Sequence, residues 1–130
     1  NVIYHGFVEP KSVYKYVYSF DILLAPYQNK VSIAGRDDSS KYMSPLKIFE
    51  YMASGKAMIV SRFEVLEEVL NDENSILVEA DNFLEWKSAL EKLATNNKYR
   101  ETIGKNAYKI LSEKYTWQQR AKMVIKDLNI

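Results

Sequence analysis

Short apolar runs alternate with amphipathic stretches along the chain, and this pattern predicts strands and helices in turn. Strands are predicted at residues 2–5, 22–25, 57–61 and 75–78. The run Ile-Leu-Leu-Ala at 22–25 has no polar alternation. Such a run is typical of a strand that is covered on both faces in a parallel sheet.

Helices are predicted to begin at about residues 10, 44 and 63, and to fill most of the chain after residue 82. Pro10 and Pro45 suit a first helical turn, and Gly55 is expected to end the second helix in the left-handed conformation. This order predicts an α/β fold with a Rossmann-like parallel sheet and helices on both faces. Four strands are few for such a sheet, so the chain is expected to be the second half of a doubly wound domain.

Composition excludes several classes of protein. The 130 residues carry 18 Lys and Arg against 17 Asp and Glu, and a net charge of +1 argues against a globally electrostatic nucleic-acid or membrane binder. The absence of cysteine excludes a disulfide framework, a zinc–thiolate site and a cysteine nucleophile. The single histidine, His5, either contacts a ligand or is a hydrogen-bonded residue at a strand end, and the second interpretation is favoured.

The stretch 27–43 is polar and has no period. A connection of about 17 residues in a compact domain is usually functional or mobile. Asp37 and Asp38 within it could form a metal site with paired carboxylates, but solvated loop charge is the favoured interpretation.

The start of the second predicted helix carries the most informative residues. Lys47 falls in its first turn, where a cation opposes the helix dipole by about 0.3–1 kcal/mol. A bound anion would reverse that sign, and the free amides of a helix start bind phosphate. Glu50 projects from the same face, where a carboxylate can accept hydrogen bonds from a ribose diol. A surface ion pair between Lys47 and Glu50 is the alternative that spacing alone favours.

The segment 44–61, Ser-Pro-Leu-Lys-Ile-Phe-Glu-Tyr-Met-Ala-Ser-Gly-Lys-Ala-Met-Ile-Val-Ser, closely resembles the signature of retaining glycosyltransferases with the GT-B fold, called family 4 or group 1. Flanking segments at 6–8, 21–26 and 103–107 agree with that family, so the resemblance covers nearly the whole chain. It implies that residues 1–130 are part of the C-terminal, nucleotide-sugar-binding domain. It also implies that the first βαβ half of that domain and the N-terminal acceptor domain are expected to be absent from these residues.

The resemblance implies an enzyme of hexosyltransferase type. It would transfer a sugar from a nucleoside diphosphate donor to an acceptor hydroxyl with retention, in glycan, glycolipid or cell-surface polysaccharide synthesis. The implied partners are the nucleotide-sugar donor and a glycan or lipid-linked acceptor, with no nucleic acid, cofactor or metal. The implied location is the cytoplasm, or the inner face of the membrane by peripheral association. The isolated chain is expected to be inactive because the acceptor side is missing.

The resemblance also implies roles for individual residues. Glu50 would bind the ribose of the donor. The residues that would bind its diphosphate are Ser44, Leu46 and Lys47, and those that would flank its base are Phe7, Val8 and Val13. Tyr42 stands where the family has a glutamate that contacts the transferred sugar, so it is a candidate for that contact. No catalytic residue is assigned, because no side chain is a convincing general base.

The rival hypothesis is a non-catalytic α/β module that binds a nucleotide or a protein partner. A receiver-type module is excluded, because Asp21 precedes its strand instead of following it. The tyrosines at 14, 16 and 18 are expected to pack, with their hydroxyls reaching solvent. Trp86 and Trp117 are expected to anchor the packing of the C-terminal helices.

Overall fold

A computed structural model describes residues 2–28 and 46–127 of the chain. Within these ranges it forms six α-helices and three β-strands. In chain order they are α1 (Pro10–Ser19), β1 (Ile22–Ala25), α2 (Leu46–Ser54), β2 (Ala57–Ser61), α3 (Glu64–Glu67), β3 (Ile76–Val78), α4 (Phe83–Thr95), α5 (Asn97–Lys114) and α6 (Trp117–Asp127). The predicted order of elements from residue 10 onward is confirmed, and β1 and β2 have the predicted bounds.

The three strands form one parallel sheet in the order β1-β2-β3. Leu24 is in register with Ile59, and Val60 with Leu77. Every residue of the central strand β2 is buried, which is why its sequence is a continuous apolar run.

Alternate residues of β2 enter two different hydrophobic clusters. Met58 and Val60 join the first cluster, which includes Ile48 and Met52 of α2. Ala57 and Ile59 join the second cluster, which α4 and α5 supply with Ala89, Leu93 and Ile103. Because neighbouring side chains of a strand point to opposite faces, helices cover both faces of this sheet. The predicted Rossmann-like α/β fold is therefore confirmed.

The strand predicted at residues 2–5 is wrong. These residues have no strand structure, and Val2 and Tyr4 are 98% and 92% exposed. A strand exists only when a neighbouring strand satisfies its backbone groups. Among the described residues no strand pairs with this segment, since β1 and β3 both pair with β2.

The turn between α2 and β2 packs directly against α5. Gly55 has a φ of +67° and ends α2 in the left-handed conformation, as predicted. A Cβ added to Gly104 of α5 would overlap the carbonyl oxygen of Gly55, and would lie 2.9 Å from the carbonyl carbon of Lys56. The absence of a side chain at Gly104 lets the two backbones touch, which fixes the C-terminal end of α2.

The C-terminal helices fulfil some predictions and not others. The Thr116 hydroxyl caps α6 by accepting a hydrogen bond from the Gln119 amide at 3.3 Å. Trp86 packs against the second cluster and its indole N–H donates to the Ala80 carbonyl oxygen at 3.3 Å. Trp117 is 87% exposed, so the prediction that it anchors the packing of the C-terminal helices is wrong for the part of the chain that the structure describes. No helix in the described ranges is both long and apolar enough for a membrane span.

Candidate functional site

Lys47 lies at the carboxyl end of the sheet, in the first turn of α2. Its Nζ is 5.3 Å from the centroid of the Tyr27 ring, and Tyr27 is the second residue after β1. In open α/β sheets ligands bind outside the carboxyl ends of the strands. Lys47 therefore occupies the position at which a ligand of this fold is expected.

Tyr27 is held by groups at the carboxyl ends of two neighbouring strands. Its backbone N–H donates to the Ala25 carbonyl oxygen at 3.0 Å, and its carbonyl oxygen accepts from the Ser61 hydroxyl at 2.8 Å. Its ring packs edge to face on Phe63, with the centroids 6.3 Å apart. Burial raises the pKa of the Tyr27 hydroxyl above its ordinary value of 10.0.

Glu50 lies in a groove between α1 and α2 and makes no ion pair with Lys47 in the part of the chain that the structure describes. The groove has a volume of about 260 Å³. Its walls consist of Glu50 and Ala53 from α2, and Pro10, Val13, Tyr14, Val17 and Tyr18 from α1. The structure thus brings together two predicted site residues, Glu50 and Val13, that are 37 positions apart in the sequence.

Two tyrosine hydroxyls tie α2 to its neighbours. The Tyr51 hydroxyl donates to the Leu24 carbonyl oxygen of β1 at 3.2 Å, and the Tyr18 hydroxyl donates to the Ala53 carbonyl oxygen at 3.2 Å. Burial raises the pKa of Tyr51, and the nearby Tyr27 and Glu50 raise it further. These contacts fix the orientation of the helix that carries Lys47 and Glu50.

Other predicted site residues lie apart from the groove or outside the described residues. Phe7 is 88% exposed and Val8 is partly buried, and neither lines the groove. Leu46 is exposed and borders a different cleft, beside α6. Ser44 and Tyr42 lie outside the described residues, as do Asp37 and Asp38. In the described ranges no group of three or more acidic or histidine side chains could hold a metal ion.

Sequence reasoning missed the contribution of Tyr14 and Tyr18 to the groove. Both were expected to be packing residues, yet they line the cavity that contains Glu50. Their spacing of four residues places them on one helix face beside Val13 and Val17. That spacing indicates that the two tyrosines share a helix face. It does not indicate which helix packs opposite that face. His5 packs its ring edge to face on Tyr16 at 5.1 Å instead of lining the groove.

Comparisons with known proteins connect this geometry to a family. A family model described as Glycosyl transferase-like matches residues 1–126. An uncharacterised glycosyltransferase of Methanocaldococcus jannaschii is 33% identical over 76 residues, which are 58% of this chain and 19% of that protein. The putative teichuronic acid biosynthesis glycosyltransferase TuaH of Bacillus subtilis is 28% identical over 97 residues, 75% of this chain and 23% of that protein. The chain spans about a fifth of the length of each of these relatives.

Solved structures share the fold. The C-terminal domain of the glycosyl transferase group 1 family protein LpcC from Francisella tularensis superposes with a TM-score of 0.68 at 25% identity, over 87% of this chain and 53% of that chain. Sucrose-phosphate synthase from Thermosynechococcus elongatus gives a TM-score of 0.65 at 17% identity, over 87% and 26%. Since the family match covers nearly every residue and the sheet and helices agree with a group 1 C-terminal domain, this chain belongs to the Glycosyl transferase-like family.

Proposed function

We propose that this chain is the donor-binding part of a retaining glycosyltransferase with the GT-B fold. In the proposed reaction the bond between the anomeric carbon of the sugar and the diphosphate oxygen breaks. A bond from that carbon to an acceptor oxygen forms, the proton of the acceptor hydroxyl passes to the oxygen of the departing diphosphate, and the nucleoside diphosphate leaves. The acceptor would be a glycan or a lipid-linked glycan, bound by a second domain of the full-length protein.

One observation carries this proposal. Glu50 and Val13 line the same groove, and Lys47 stands one turn before Glu50, beside the carboxyl end of β1. This arrangement offers a carboxylate for two ribose hydroxyls and an ammonium for phosphate, in the order in which a nucleoside diphosphate presents them.

Each residue has a defined role in the proposal. The Lys47 ammonium and the backbone N–H groups of Ser44, Leu46 and Lys47 stabilise the negative charge that develops on the leaving diphosphate. Pro45 has no N–H and donates nothing. Glu50 orients the nucleotide by accepting hydrogen bonds from the ribose, which is a positioning effect. Val13 and the ring of Tyr14 flank the base, with Phe7 and Val8 at the approach to α1, and Tyr42 contacts the transferred sugar. No metal or cofactor takes part in this scheme.

The name of one relative supports a pathway, and the proposed donor supports a location. TuaH of Bacillus subtilis is named for teichuronic acid biosynthesis, which supports a proposed role in cell-surface polysaccharide synthesis. A nucleotide-sugar donor implies that the full-length enzyme works in the cytoplasm or at the inner face of the membrane.

Isothermal titration of the full-length protein with UDP, GDP and ADP tests the donor site. Glu50→Gln and Lys47→Met are each expected to weaken the tightest of these ligands about tenfold, equivalent to about 1.4 kcal/mol. Glu91→Gln and Lys98→Met change exposed side chains of α4 and α5 that do not line the groove, and they serve as matched controls. Unchanged affinity in both site variants would contradict the proposed site.

A transfer assay separates the enzyme from the rival module. The full-length protein is incubated with the nucleotide sugar of the base that binds tightest and with a polysaccharide acceptor, and the anomeric configuration of the product is read by proton NMR. A product with the configuration of the donor supports retention. Nucleotide binding without transfer to any acceptor would favour the non-catalytic module.

A further inference from the structure

We propose that Tyr27 is a positioning residue that holds the Lys47 ammonium at the diphosphate end of the donor site by a cation–π contact. This inference rests on the proposed function, because it assigns Lys47 to the donor diphosphate. The resemblance that placed Lys47 in the site assigns no role to Tyr27, which the sequence put at the start of the polar stretch.

The first step of the argument concerns Lys47 itself. A lysine side chain has several rotatable bonds, and fixing them costs conformational entropy whenever the ammonium is bound in one place. Lys47 is exposed and, among the described residues, forms no ion pair that could fix it. The face of the Tyr27 ring, 5.3 Å from Nζ, is within the range of a cation–π attraction and is the described group that contacts the ammonium.

The second step concerns the rigidity of Tyr27. Its carbonyl oxygen is fixed by the hydroxyl of Ser61, which is fully buried at the end of β2. Its ring is fixed by the edge-to-face contact with Phe63. Ser61 ends β2 and Phe63 follows it, so the ring is held by the most deeply buried strand of the described fold.

The third step concerns charge. A tyrosine ring is neutral at physiological pH, so Tyr27 attracts Lys47 by its electron-rich face without neutralising the ammonium. An ion pair with a carboxylate would hold Lys47 equally well, but it would compete with an incoming diphosphate. A cation–π partner therefore orients the ammonium while leaving its charge available to the ligand.

The test is a double-mutant cycle on ligand binding. Affinities for the nucleoside diphosphate that binds tightest, and for the matching nucleoside without phosphate, are measured by titration of the full-length protein. Tyr27→Leu is expected to weaken diphosphate binding about two- to fivefold, in line with an exposed cation–π contact, and to leave nucleoside binding unchanged. Tyr27→Phe retains the ring and is expected to restore wild-type affinity. In a Lys47→Met background, Tyr27→Leu is expected to have no further effect.

Each other outcome overturns a specific statement. Equal loss of affinity on Tyr27→Leu with and without Lys47 would show that Tyr27 acts only by supporting the fold. No loss of affinity on Tyr27→Leu, with a loss on Lys47→Met, would overturn the inference and leave the proposed function standing. No loss of affinity on Lys47→Met would overturn the inference and the assignment of Lys47 to the diphosphate. The proposed site itself would fall only if Glu50→Gln also had no effect.

A spectroscopic measurement keeps the proposal testable if Tyr27→Leu folds poorly. The ε-methylene protons of Lys47 lie near the face of an aromatic ring and are expected to resonate upfield of those of exposed lysines. The upfield shift should persist in Tyr27→Phe and disappear in Tyr27→Gln. Ordinary resonance positions in the wild-type protein would contradict the contact.

Discussion

The hydroxyl of Ser61, at the end of β2, donates a 2.8 Å hydrogen bond to the carbonyl oxygen of Tyr27, just after β1. This bond joins the carboxyl ends of two adjacent parallel strands below the Lys47 ammonium. Ser61 is fully buried, so removing its hydroxyl leaves the Tyr27 carbonyl without this donor.

Ser61→Ala is expected to lower the free energy of unfolding by about 1 kcal/mol, the usual contribution of such a hydrogen bond. Urea denaturation followed by circular dichroism measures the change. Ser88→Ala, at an exposed position of α4, is the matched control and is expected to stay within about 0.5 kcal/mol of the wild type. A Ser61→Ala variant as stable as that control would contradict a structural role for this bond.

Gly104→Ala is expected to destabilise the protein even though alanine is the better helix former. In an exposed helix interior this change stabilises by roughly 0.5–1 kcal/mol. Here the new Cβ overlaps the Gly55 carbonyl oxygen and lies 3.0 Å from the Ala57 amide nitrogen, so backbone must shift. Overpacking of this kind costs about 1–3 kcal/mol.

Thermal unfolding monitored by calorimetry is a suitable measurement for Gly104→Ala. Lys98→Ala in the first turn of the same helix controls for the general effect of alanine and should leave the midpoint nearly unchanged. A raised midpoint in Gly104→Ala would mean that α5 does not approach the turn after α2 as closely as described.

Stability is expected to fall above pH 10 through Tyr27 and Tyr51. Both have a raised pKa in the folded protein, from an ordinary value of 10.0, with burial as the main cause. Above pH 10 the unfolded chain therefore loses these protons before the folded chain does. The unfolded state then binds fewer protons, so the free energy of unfolding decreases as pH rises, by at most about 1.4 kcal/mol per pH unit for each group.

Urea denaturation at pH 8 and pH 10.5 measures this dependence. Tyr27→Phe removes one of the two groups and is expected to flatten the fall between the two pH values. The comparison with the wild type cancels the common contribution of lysines. An identical fall in both proteins would show that Tyr27 does not contribute.

Tyr14→Ala is expected to weaken the binding of a nucleoside and of its diphosphate by the same factor, about two- to fivefold. Its ring lines the groove with Glu50 but lies on α1, so the substitution removes an interaction with the base. This pattern is the opposite of that expected for Tyr27→Leu, where only the diphosphate is affected. Titration of both ligands against Tyr14→Ala, with Tyr108→Ala on α5 as an exposed tyrosine control, distinguishes a contact with the base from a contact with the diphosphate.

The sequence predicted the bounds of β1 and β2, but the predicted burial on both faces holds only for β2. Leu24 of β1 is 40% exposed because β1 is an edge strand of the described sheet. Asp21 and Pro26 flank the apolar run of β1, and Lys56 and Arg62 flank β2, so the length of each run defines the bounds of the strand.

The strand prediction at residues 2–5 failed because it depends on a pairing partner. The segment 2–5 begins with three apolar or aromatic residues, but no pattern within it tells whether a neighbouring strand is present. Trp117 failed for a related reason, because amphipathicity identifies an apolar face and not the surface that covers it.

The sequence predicted individual residues of the candidate site but not the contacts between them. Lys47 and Glu50 were singled out by their place at a helix start, and Val13 by its place in the family pattern. The contact between Tyr27 and Lys47 was not predictable, because it depends on the distance between the end of β1 and the start of α2. That distance is set by packing between residues 20 positions apart.

Because the strands are parallel, all their amino ends lie on one side of the sheet and all their carboxyl ends on the other. The chain has no cysteine, so a single introduced thiol can label one side alone. Glu101 lines a cleft together with Gly55 and Ala57, at the amino ends of the strands. Tyr27 and Lys47 lie at the opposite, carboxyl ends. A thiol introduced at Glu101 would be the single reactive sulfhydryl in this sequence. A fluorophore attached there would report on the packing of α5 against the turn after α2. The carboxyl ends of the strands, where the candidate site lies, would stay unlabelled.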